Sequence, residues 1–583
     1  MQKQIHKTIL RKKILLTPSA QPFLGKEELL ISDAIVRGQT LASYLDSLYA
    51  QNLPSQERVP AHLREPLRRG DKSEGAQETR QARENEENDA KESEHDNKDE
   101  ESAAARSRIE RTEYLPKHAS ASESTVFHKE QEGVAEDILR AAPALADLHV
   151  LFSYAKNSSK RTVQDFVLLF NSRFKHLEKI LQARQELSNV ISIGKIMQKK
   201  EKDKVAFIGM VVEKNVTKNN NLIFKLEDPT GIISAVVTTK NPEAFKMAQD
   251  ICLDEIIGIT GSSDKIVFIQ SIFLPDVPLT KELKKGPVEE YVAFIGDPHF
   301  GSKVFLEKEF SKMLLWLNGN SGNDEQRRIA SKVKYMIFIG DLVEGVGVYP
   351  NQEKDLAMAD IYDQYAFFKQ YLLQIPKHIR VVLIPGNHDV GRLSEPQPSL
   401  FFDNMKDIAE LPNVLSLSNP ALFTIGAHPD VGFPGFDVLL YHGGSIPYYA
   451  ENVASIRSQG GLRKTDLVMK YLLQRRHLAP THASTIYVPD VHRDPLLIDV
   501  VPDFFVTGHI HKMTVSSYRN VTLINASCWV GITEYQERRG IIPEPGRLPI
   551  VNLQTREVKI LNFLSKEDQE KEAQRATGTG GAA

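Results

Sequence analysis

The stretch YVAFIGDPHFGS (residues 291–302) runs from five apolar or aromatic residues through Gly296 to Asp297 and His299. Such an apolar run, closed by a turn residue, predicts a short buried strand. Glycine at position 296 permits a sharp turn and a close approach of the backbone. Aspartate and histidine are residue types that bind divalent metal ions. The stretch therefore predicts a buried strand that presents candidate metal ligands at its carboxyl end.

Four further apolar strands repeat this arrangement, in YMIFIGD (335–341), VVLIPGNHD (381–389), DVLLYHGG (437–444) and DFFVTGHIH (503–511). Helical stretches separate the strands, and this alternation predicts a layered α/β domain over residues 288–565. In open α/β sheets, ligands bind beyond the carboxyl ends of the strands, so the polar residues there are expected to converge. The candidate site residues are Asp297, His299, Asp341, Asn387, His388, His442, His509 and His511.

The converging set combines carboxylate, imidazole and amide oxygen, which suits two divalent cations such as Mn, Fe, Zn or Mg. The chain has two cysteines, which excludes a thiolate cluster. Asp341 is expected to bridge both ions, because one carboxylate between two cations offsets their mutual repulsion. Two ions about 3.5–4 Å apart can activate a water molecule and stabilise the attacking and leaving oxygens at phosphorus. His388 is predicted to act near the leaving group, as an acid or an electrostatic partner.

The ordered motifs GDPHFGS, GDLVEG, GNHD, YHGGS and GHIH resemble those of the calcineurin-like metallophosphoesterase family over about half of the chain. The resemblance implies an α/β sandwich and a metal-dependent phosphodiesterase, with Mn favoured for activity. It implies that one metal ion is bound by Asp297, His299, Asp341 and His511. It implies that the second is bound by Asp341, Asn387, His442 and His509. His388 would be the catalytic histidine.

Residues 188–278 carry a different pattern, of β-branched runs separated by turn residues. The runs are KVAFIGMVVEK (204–214), NLIFKLEDPTGIISAVVTT (221–239) and DEIIGITGSSDKIVFIQSIFLP (254–275), with a short helix predicted at 242–250. Turns inside the second and third runs bring the number of strands to about five, which predicts a small closed barrel of the oligonucleotide-binding (OB) type. No row of exposed aromatic residues for base stacking is evident, so a packing platform is favoured over direct nucleic-acid binding.

A barrel of this type followed by a metallophosphoesterase domain resembles the small subunits of archaeal family D DNA polymerases. The resemblance implies a two-metal 3′–5′ exonuclease that acts on single-stranded or mispaired DNA 3′ ends. It also implies a stable complex with a large catalytic polymerase subunit, and a sliding clamp is a further candidate partner. Eukaryotic polymerase B-subunits are similar in layout but lack the metal ligands, and the complete set here favours an active enzyme.

Two alternative functions remain open at this stage. The first is a phosphatase or another metal-dependent phosphodiesterase, since the same metal core serves several substrates. The second is a non-catalytic scaffold for the large subunit. The complete ligand set argues against a scaffold alone, because buried carboxylates and imidazoles without a ligand would cost stability. The barrel and the loops around Tyr448–Leu462 are the candidate docking surfaces.

The chain has 583 residues and a formal net charge of −3, and this length predicts several folded units rather than one core. No apolar run reaches the roughly 18–20 residues of a membrane span, and the few cysteines suit the reducing cytoplasm. The segments predicted outside the two folded units are a small helical module (1–52), a disordered charged linker (53–132), a helical connection (133–187) and a flexible tail (566–583). Within the connection, helices are predicted around Ile138–Leu151 and Val163–Leu181.

Overall fold

The computed structural model describes residues 148–155, 160–263, 266–400, 406–490, 492–533, 536–537 and 542–570. The predicted helical module at 1–52 and the charged linker at 53–132 lie outside these residues. Most of the predicted tail lies outside them as well, although residues 566–570 are helical.

Seventeen strands form in the described part of the chain. They are β1 Leu148–Ser153, β2 Asp203–Val216, β3 Leu222–Asp228, β4 Gly231–Val237, β5 Ile256–Ser263, β6 Val267–Phe273, β7 Tyr291–Ile295, β8 Val333–Ile339, β9 Arg380–Ile384, β10 Val414–Ser416, β11 Ala421–Ile425, β12 Phe436–Tyr441, β13 Phe504–Thr507, β14 Thr514–Tyr518, β15 Val521–Asn525, β16 Arg547–Asn552 and β17 Val558–Asn562. All five strands predicted to carry candidate ligands, namely β7, β8, β9, β12 and β13, are confirmed.

The α-helices lie between these strands. They are α1 Val163–Gln182, α2 Ile193–Gln198, α3 Pro242–Gln249, α4 Glu307–Leu317, α5 Asp324–Ala330, α6 Ile361–Leu372, α7 Lys406–Ala409, α8 Ile446–Asn452, α9 Ala454–Ser458 and α10 Thr465–Arg475. None of them, within the described ranges, has the length and apolar character needed to cross a bilayer.

Strands β2 to β6 form a closed barrel in the order β2-β3-β4-β6-β5. Their inward side chains, among them Phe207, Phe224 and Ile259, are fully buried in one apolar cluster. Helix α3 lies between β4 and β5, as predicted, and it begins at Pro242 with the side chain of Asn241 capping the backbone N–H of Ala244. The predicted pattern of five strands and one helix is confirmed.

Two six-stranded mixed sheets pack face to face after the barrel. One has the order β10-β9-β8-β7-β16-β17 and the other has the order β1-β11-β12-β13-β15-β14. Strands β7, β8, β9 and β10 are mutually parallel, and so are β12, β13 and β15. An apolar layer that includes Phe294, Ile337, Val438 and Val506 fills the space between the sheets. The carboxyl ends of the parallel strands in each sheet therefore lie at one edge.

Helices cover the outer face of each sheet. Phe310 of α4 and Phe368 of α6 pack against the first sheet. Tyr449 of α8, Leu472 of α10 and Leu169 of α1 pack against the second. The result is a four-layer sandwich of helices, sheet, sheet and helices, which confirms the predicted layered α/β domain.

The prediction of a helix around Ile138–Leu151 is wrong for residues 148–151, the part of this range that the structure describes. Residues 148–153 form strand β1, which pairs antiparallel with β11 at the edge of the second sheet. A short apolar run fits helical and strand periodicity equally well, so local spacing does not choose between them. The unpaired edge of β11 decides the outcome, because it supplies backbone hydrogen bonds and buries Leu148 in the layer between the sheets. The second predicted helix is confirmed as α1.

We expect Phe224→Ala to lower the free energy of unfolding by about 3–5 kcal/mol, because its fully buried ring fills the barrel core. Phe268→Ala is the matched control, since this phenylalanine belongs to the same barrel but is 42% exposed. The control is expected to cost about 0.5 kcal/mol or less. Denaturant titration followed by circular dichroism measures both, and equal effects would contradict the assignment of Phe224 to the core.

Candidate metal centre

The strand ends of both sheets meet at one site. Asp297 and His299 follow β7, Asp341 follows β8, and Asn387 and His388 follow β9 of the first sheet. The second sheet contributes three further residues from the ends of β12 and β13, namely His442, His509 and His511. Each of the eight predicted residues contacts at least one other member of the set.

Asp341 lies at the centre of this set. Its Oδ2 is 3.3 Å from Nε2 of His442 and 3.8 Å from Nε2 of His299. The backbone N–H of His388 donates to its Oδ1 at 2.8 Å. Two groups of side chains could each hold a metal ion, and both contain Asp341, the residue predicted to bridge two ions. The groups are His299, Asp341 and His388, and Asp341, His442 and His509.

His388 in the first group differs from the ligand set that the family resemblance implied there, which has Asp297 and His511 instead. These two residues are nevertheless close by. Asp297 Oδ2 is 3.3 Å from His511 Nε2, which in turn is 3.1 Å from His299 Nε2. Asp297 Oδ1 is buried and accepts no hydrogen bond among the described residues. Because a buried carboxylate oxygen normally has a partner, this orphaned atom fits a site built for a cation.

His442 is oriented by the backbone of the opposite sheet. Its Nδ1 lies 2.8 Å from the carbonyl oxygen of Ile339, and a carbonyl requires a protonated nitrogen. Loss of a proton on binding a cation would therefore leave the lone pair on Nε2, which lies 3.1 Å from Oδ1 of Asn387 and faces Asp341. The imidazole of His509 packs edge-on against that of His442, with ring centroids 5.0 Å apart. These four side chains present oxygen and nitrogen lone pairs to one small volume.

Burial and mutual charge shift the pKa values of the site strongly. Burial, with the charge of Asp341, raises the pKa of Asp297 to about 8. Burial acts to raise the pKa of Asp341, but the neighbouring imidazolium of His442 outweighs burial and holds that pKa well below its usual range. Burial and the charge of His442 lower the pKa of His509 to about 3. A divalent cation would stabilise the carboxylates and the neutral imidazoles together and displace the protons that they share.

The backbone adopts unusual conformations to bring these groups together. Five site residues have left-handed φ angles, each at a cost of about 1–3 kcal/mol for a non-glycine residue. They are Asp297 (37°), His299 (50°), Asp341 (47°), His509 (68°) and His511 (56°). Gly386 is required for packing, because a Cβ there would lie 2.2 Å from Asp341 Oδ1. At Gly340, which has a φ of 82°, a Cβ would lie 2.6 Å from Nδ1 of His442.

Glu344 is a site residue that the sequence reasoning missed. Its Oε2 lies 3.2 Å from Nδ1 of His299, and its Oε1 accepts a hydrogen bond from the hydroxyl of Tyr349 at 3.0 Å. Its backbone carbonyl lies 2.7 Å from Nδ1 of His388. One residue thus orients two imidazoles of the site. The signal was available, since Glu344 lies three residues after Asp341 in the motif GDLVEG.

Three amides complete the surroundings, and the sequence offered no signal for them. Asn419 Oδ1 accepts the backbone N–H of His442 at 2.9 Å, and Asn419 Nδ2 donates to Gln397 at 2.7 Å. Gln397 in turn donates to the backbone carbonyl of Gly386 in the GNHD loop at 2.9 Å. The side-chain amide of Gln536 lies 2.9 Å from Nδ1 of His511. These contacts link loops from both sheets.

We expect Glu344→Ala to weaken divalent-metal binding about 10- to 100-fold, because His299 loses the partner that orients it. Glu344→Gln keeps an acceptor oxygen and should lose less. Glu353→Ala is the control, since this exposed glutamate lies in the same loop. Isothermal titration with Mn²⁺ measures the affinities. An unchanged affinity in Glu344→Ala would exclude the orienting role.

Comparison with known proteins places this site in a family. The model of the calcineurin-like phosphoesterase family matches residues 291–513. The chain is 38% identical over 402 residues to the DNA polymerase II small subunit of Methanothermobacter thermautotrophicus, which covers 69% of this chain and 80% of that protein. It is 35% identical over 439 residues to that of Archaeoglobus fulgidus, covering 75% and 85% of the two chains.

The small subunit of Pyrococcus abyssi DNA polymerase II is 38% identical over 406 residues, which are 69% of this chain and 63% of that protein. The matches in several archaea span the greater part of this chain, and the phosphoesterase match contains all eight converging residues. The chain therefore belongs to the family of DNA polymerase II small subunits and carries a calcineurin-like phosphoesterase domain.

Proposed function

We propose that this chain is a polymerase small subunit with two-metal 3′–5′ exonuclease activity on DNA 3′ ends. The observation that carries the proposal is the complete set of oxygen and nitrogen ligands around Asp341, with His388 beside it. Membership of a polymerase-subunit family supports DNA as the substrate rather than a small phosphoester. Single-stranded or mispaired 3′ ends are the proposed form of that substrate.

Two divalent ions are proposed to be held as the family resemblance implies. One set is Asp297, His299, Asp341 and His511, and the other is Asp341, Asn387, His442 and His509. Ions bound there would supply a nucleophilic water and neutralise charge at the phosphorus. Mn is the proposed cation for activity, and Fe, Zn and Mg suit the same ligand types.

His388 is proposed as the catalytic histidine. The carbonyl of Glu344 accepts its Nδ1–H, so Nε2 is the atom that can exchange a proton with the substrate. Its ring stands edge-on to the ring of His299, with centroids 4.6 Å apart. His388 is only partly buried, whereas Asp341 and His299 are fully buried. It therefore lies on the side of the site that a DNA end can reach. We propose that it acts on the leaving-group oxygen, as an acid or an electrostatic partner.

The barrel is proposed to be of the OB type, and its proposed role is to serve as a packing platform. Its strand order and the helix between its third and fourth strands support the type. Glu255, at the start of β5, is buried and pairs with Arg475 of α10 at 3.1 Å, and the hydroxyl of Tyr471 also donates to it. Among the large apolar residues of the described barrel, Phe268 is the exposed aromatic one. A base-stacking surface would need several such residues.

The large catalytic subunit is the proposed partner, as the name of the relatives suggests, and a sliding clamp is a further one. The proposed docking surfaces are the barrel and the loops around Tyr448–Leu462. These two regions are continuous, because the backbone N–H of Ser455 donates to Asp250 of the barrel at 3.0 Å.

We expect His388→Ala to slow the release of 3′ nucleotides from a 5′-labelled single strand about 10²- to 10⁴-fold, because the proton-exchanging group is lost. Bound metal and the circular dichroism spectrum should stay unchanged. His378→Ala, at an exposed histidine away from the site, is the control. Full nuclease activity in His388→Ala would remove this role from His388.

The same assay separates the alternative functions. Loss of label from a 3′-labelled strand at the first turnover, with a ladder from the 5′-labelled strand, supports 3′–5′ polarity. Hydrolysis of p-nitrophenyl phosphate without DNA cleavage would favour a phosphatase. A chain that binds no divalent metal, alone or with the large subunit, would favour a scaffold.

A further inference from the structure

An aromatic side chain stands next to the proposed catalytic histidine. The ring centroid of Tyr349 lies 6.1 Å from that of His388, and the two ring planes are 56° apart. Tyr349 is half-buried and belongs to the loop that connects Asp341, at the end of β8, to α6. The proposed metal ligands and the proposed proton exchange at His388 make no use of this ring. It is therefore a candidate for a contact with the substrate itself.

The hydroxyl of Tyr349 is already engaged by two carboxylates. It lies 3.0 Å from Oε1 of Glu344 and 2.9 Å from Oδ2 of Asp355. A phenol has a single proton to donate, so these carboxylates take up its donor capacity. A phosphate group binds through hydrogen-bond donors and positive charge, which this side chain does not offer. What Tyr349 can present to a ligand is the face of its ring.

Two buried glutamines hold the same loop in place. The side-chain amide of Gln352 donates to the backbone carbonyl of Glu344 at 2.9 Å, and its Oε1 accepts the backbone N–H of Val348 at 2.8 Å. Gln364 of α6 accepts the backbone N–H of Gly345 at 2.8 Å. The ring is thus fixed at both of its connections, the backbone and the hydroxyl. A group that is held before binding loses little conformational entropy when a ligand arrives.

The loop also comes close to the backbone of His388 and exposes an apolar residue. A Cβ on Gly345, which has a φ of 76°, would lie 2.3 Å from the carbonyl oxygen of His388. Val346, the next residue, is 53% exposed. An aromatic ring and an exposed valine in a loop at the catalytic histidine suit a flat, uncharged group. A nucleic-acid base is such a group, because its π-face stacks on aromatic side chains.

We propose that the ring of Tyr349 stacks on the base of the nucleotide that carries the leaving-group oxygen. This inference rests on the proposed function, because it assigns a subsite of the same exonuclease. A strand that a polymerase can extend must keep a 3′-hydroxyl, so the bond between phosphorus and O3′ breaks and O3′ gains a proton. That oxygen belongs to the second nucleotide from the 3′ end, and His388 acts on it. Stacking tolerates any base, which suits an enzyme that shortens strands of any sequence.

The test uses the full-length chain with Mn²⁺ and three 5′-labelled single strands. One is an unmodified strand, and the others carry a tetrahydrofuran abasic residue at the first or at the second position from the 3′ end. With the wild-type chain, the abasic residue at the second position should lower kcat/KM for the first cleavage about tenfold. The abasic residue at the first position should change it about twofold or less, because no stacking partner is assigned there.

Three variants separate stacking from support of the metal centre. In Tyr349→Ala, the ratio of kcat/KM between the unmodified strand and the strand with the second-position abasic residue should fall to about one. Tyr349→Phe keeps the ring and loses the contacts with Glu344 and Asp355, so it should retain this ratio even where all rates fall. Tyr518→Ala is the matched control. It removes a half-buried tyrosine whose hydroxyl also donates to a carboxylate, that of Asp276 at 2.9 Å, at the end of β14 away from the metal centre.

A binding measurement tests the same contact without cleavage. The strand carries 2-aminopurine at the second position and a phosphorothioate at the terminal linkage, and Ca²⁺ replaces Mn²⁺. Because stacking quenches 2-aminopurine, its fluorescence should be lower in the complex with the wild-type chain than in the complex with Tyr349→Ala. Tyr349→Phe should resemble the wild-type chain.

An unchanged ratio in Tyr349→Ala would overturn the proposal, because a loss shared equally by all three strands reduces this tyrosine to a support for Glu344. An abasic effect confined to the terminal position would overturn the assigned register. If the wild-type chain cleaves none of the strands, the proposed exonuclease fails, and the fluorescence comparison still decides by itself whether Tyr349 stacks on a base.

Discussion

Two carboxylates, Asp297 and Asp341, are buried together between the strand ends of two sheets, and the rest of the site depends on balancing their charge. An isolated ionised carboxylate is costly to bury, so positive partners must surround it. Imidazoles from four different loops surround the two carboxylates, and divalent ions would balance the negative charge more completely. The left-handed φ angles of several candidate ligands, and the glycines beside them that leave no room for a Cβ, are consequences of packing so many polar groups into one volume.

Residues that contact the candidate ligands from outside the metal centre hold this arrangement together. Glu344 orients one imidazole with its carboxylate and another with its backbone carbonyl, while Asn419 and Gln397 join a loop of one sheet to a loop of the other. Such outer partners determine which nitrogen of a histidine carries its proton and where the lone pair points. Because these contacts join loops of both sheets, the geometry of the site depends on the packing between the sheets.

The segment before the barrel belongs structurally to the phosphoesterase sandwich. Strand β1 extends the second sheet, and α1 packs on its outer face, where buried Arg173 pairs with Asp494 at 2.6 Å. The barrel is therefore inserted between two parts of one sandwich, and its own contact through Glu255 reaches α10 of the same layer. This connectivity brings Tyr154, distant in sequence, into contact with Arg392 in the loop after β9 and with Ser418 in the loop after β10.

The sequence by itself determined the five strands that carry candidate ligands, the barrel strands and all eight converging residues, because apolar runs, turn glycines and residue types able to bind metal are local signals. Their roles as ligands and as catalyst stay predictions. Only the tertiary structure decided that residues 148–153 form a strand. Their apolar pattern suits both helical and strand periodicity, and pairing with the edge of β11 favours the strand. The tertiary structure alone decided the partners of Glu344 and the contacts of Asn419 and Gln536. Those contacts join residues far apart in the chain, and no local pattern encodes which distant side chain a fold brings within hydrogen-bonding distance.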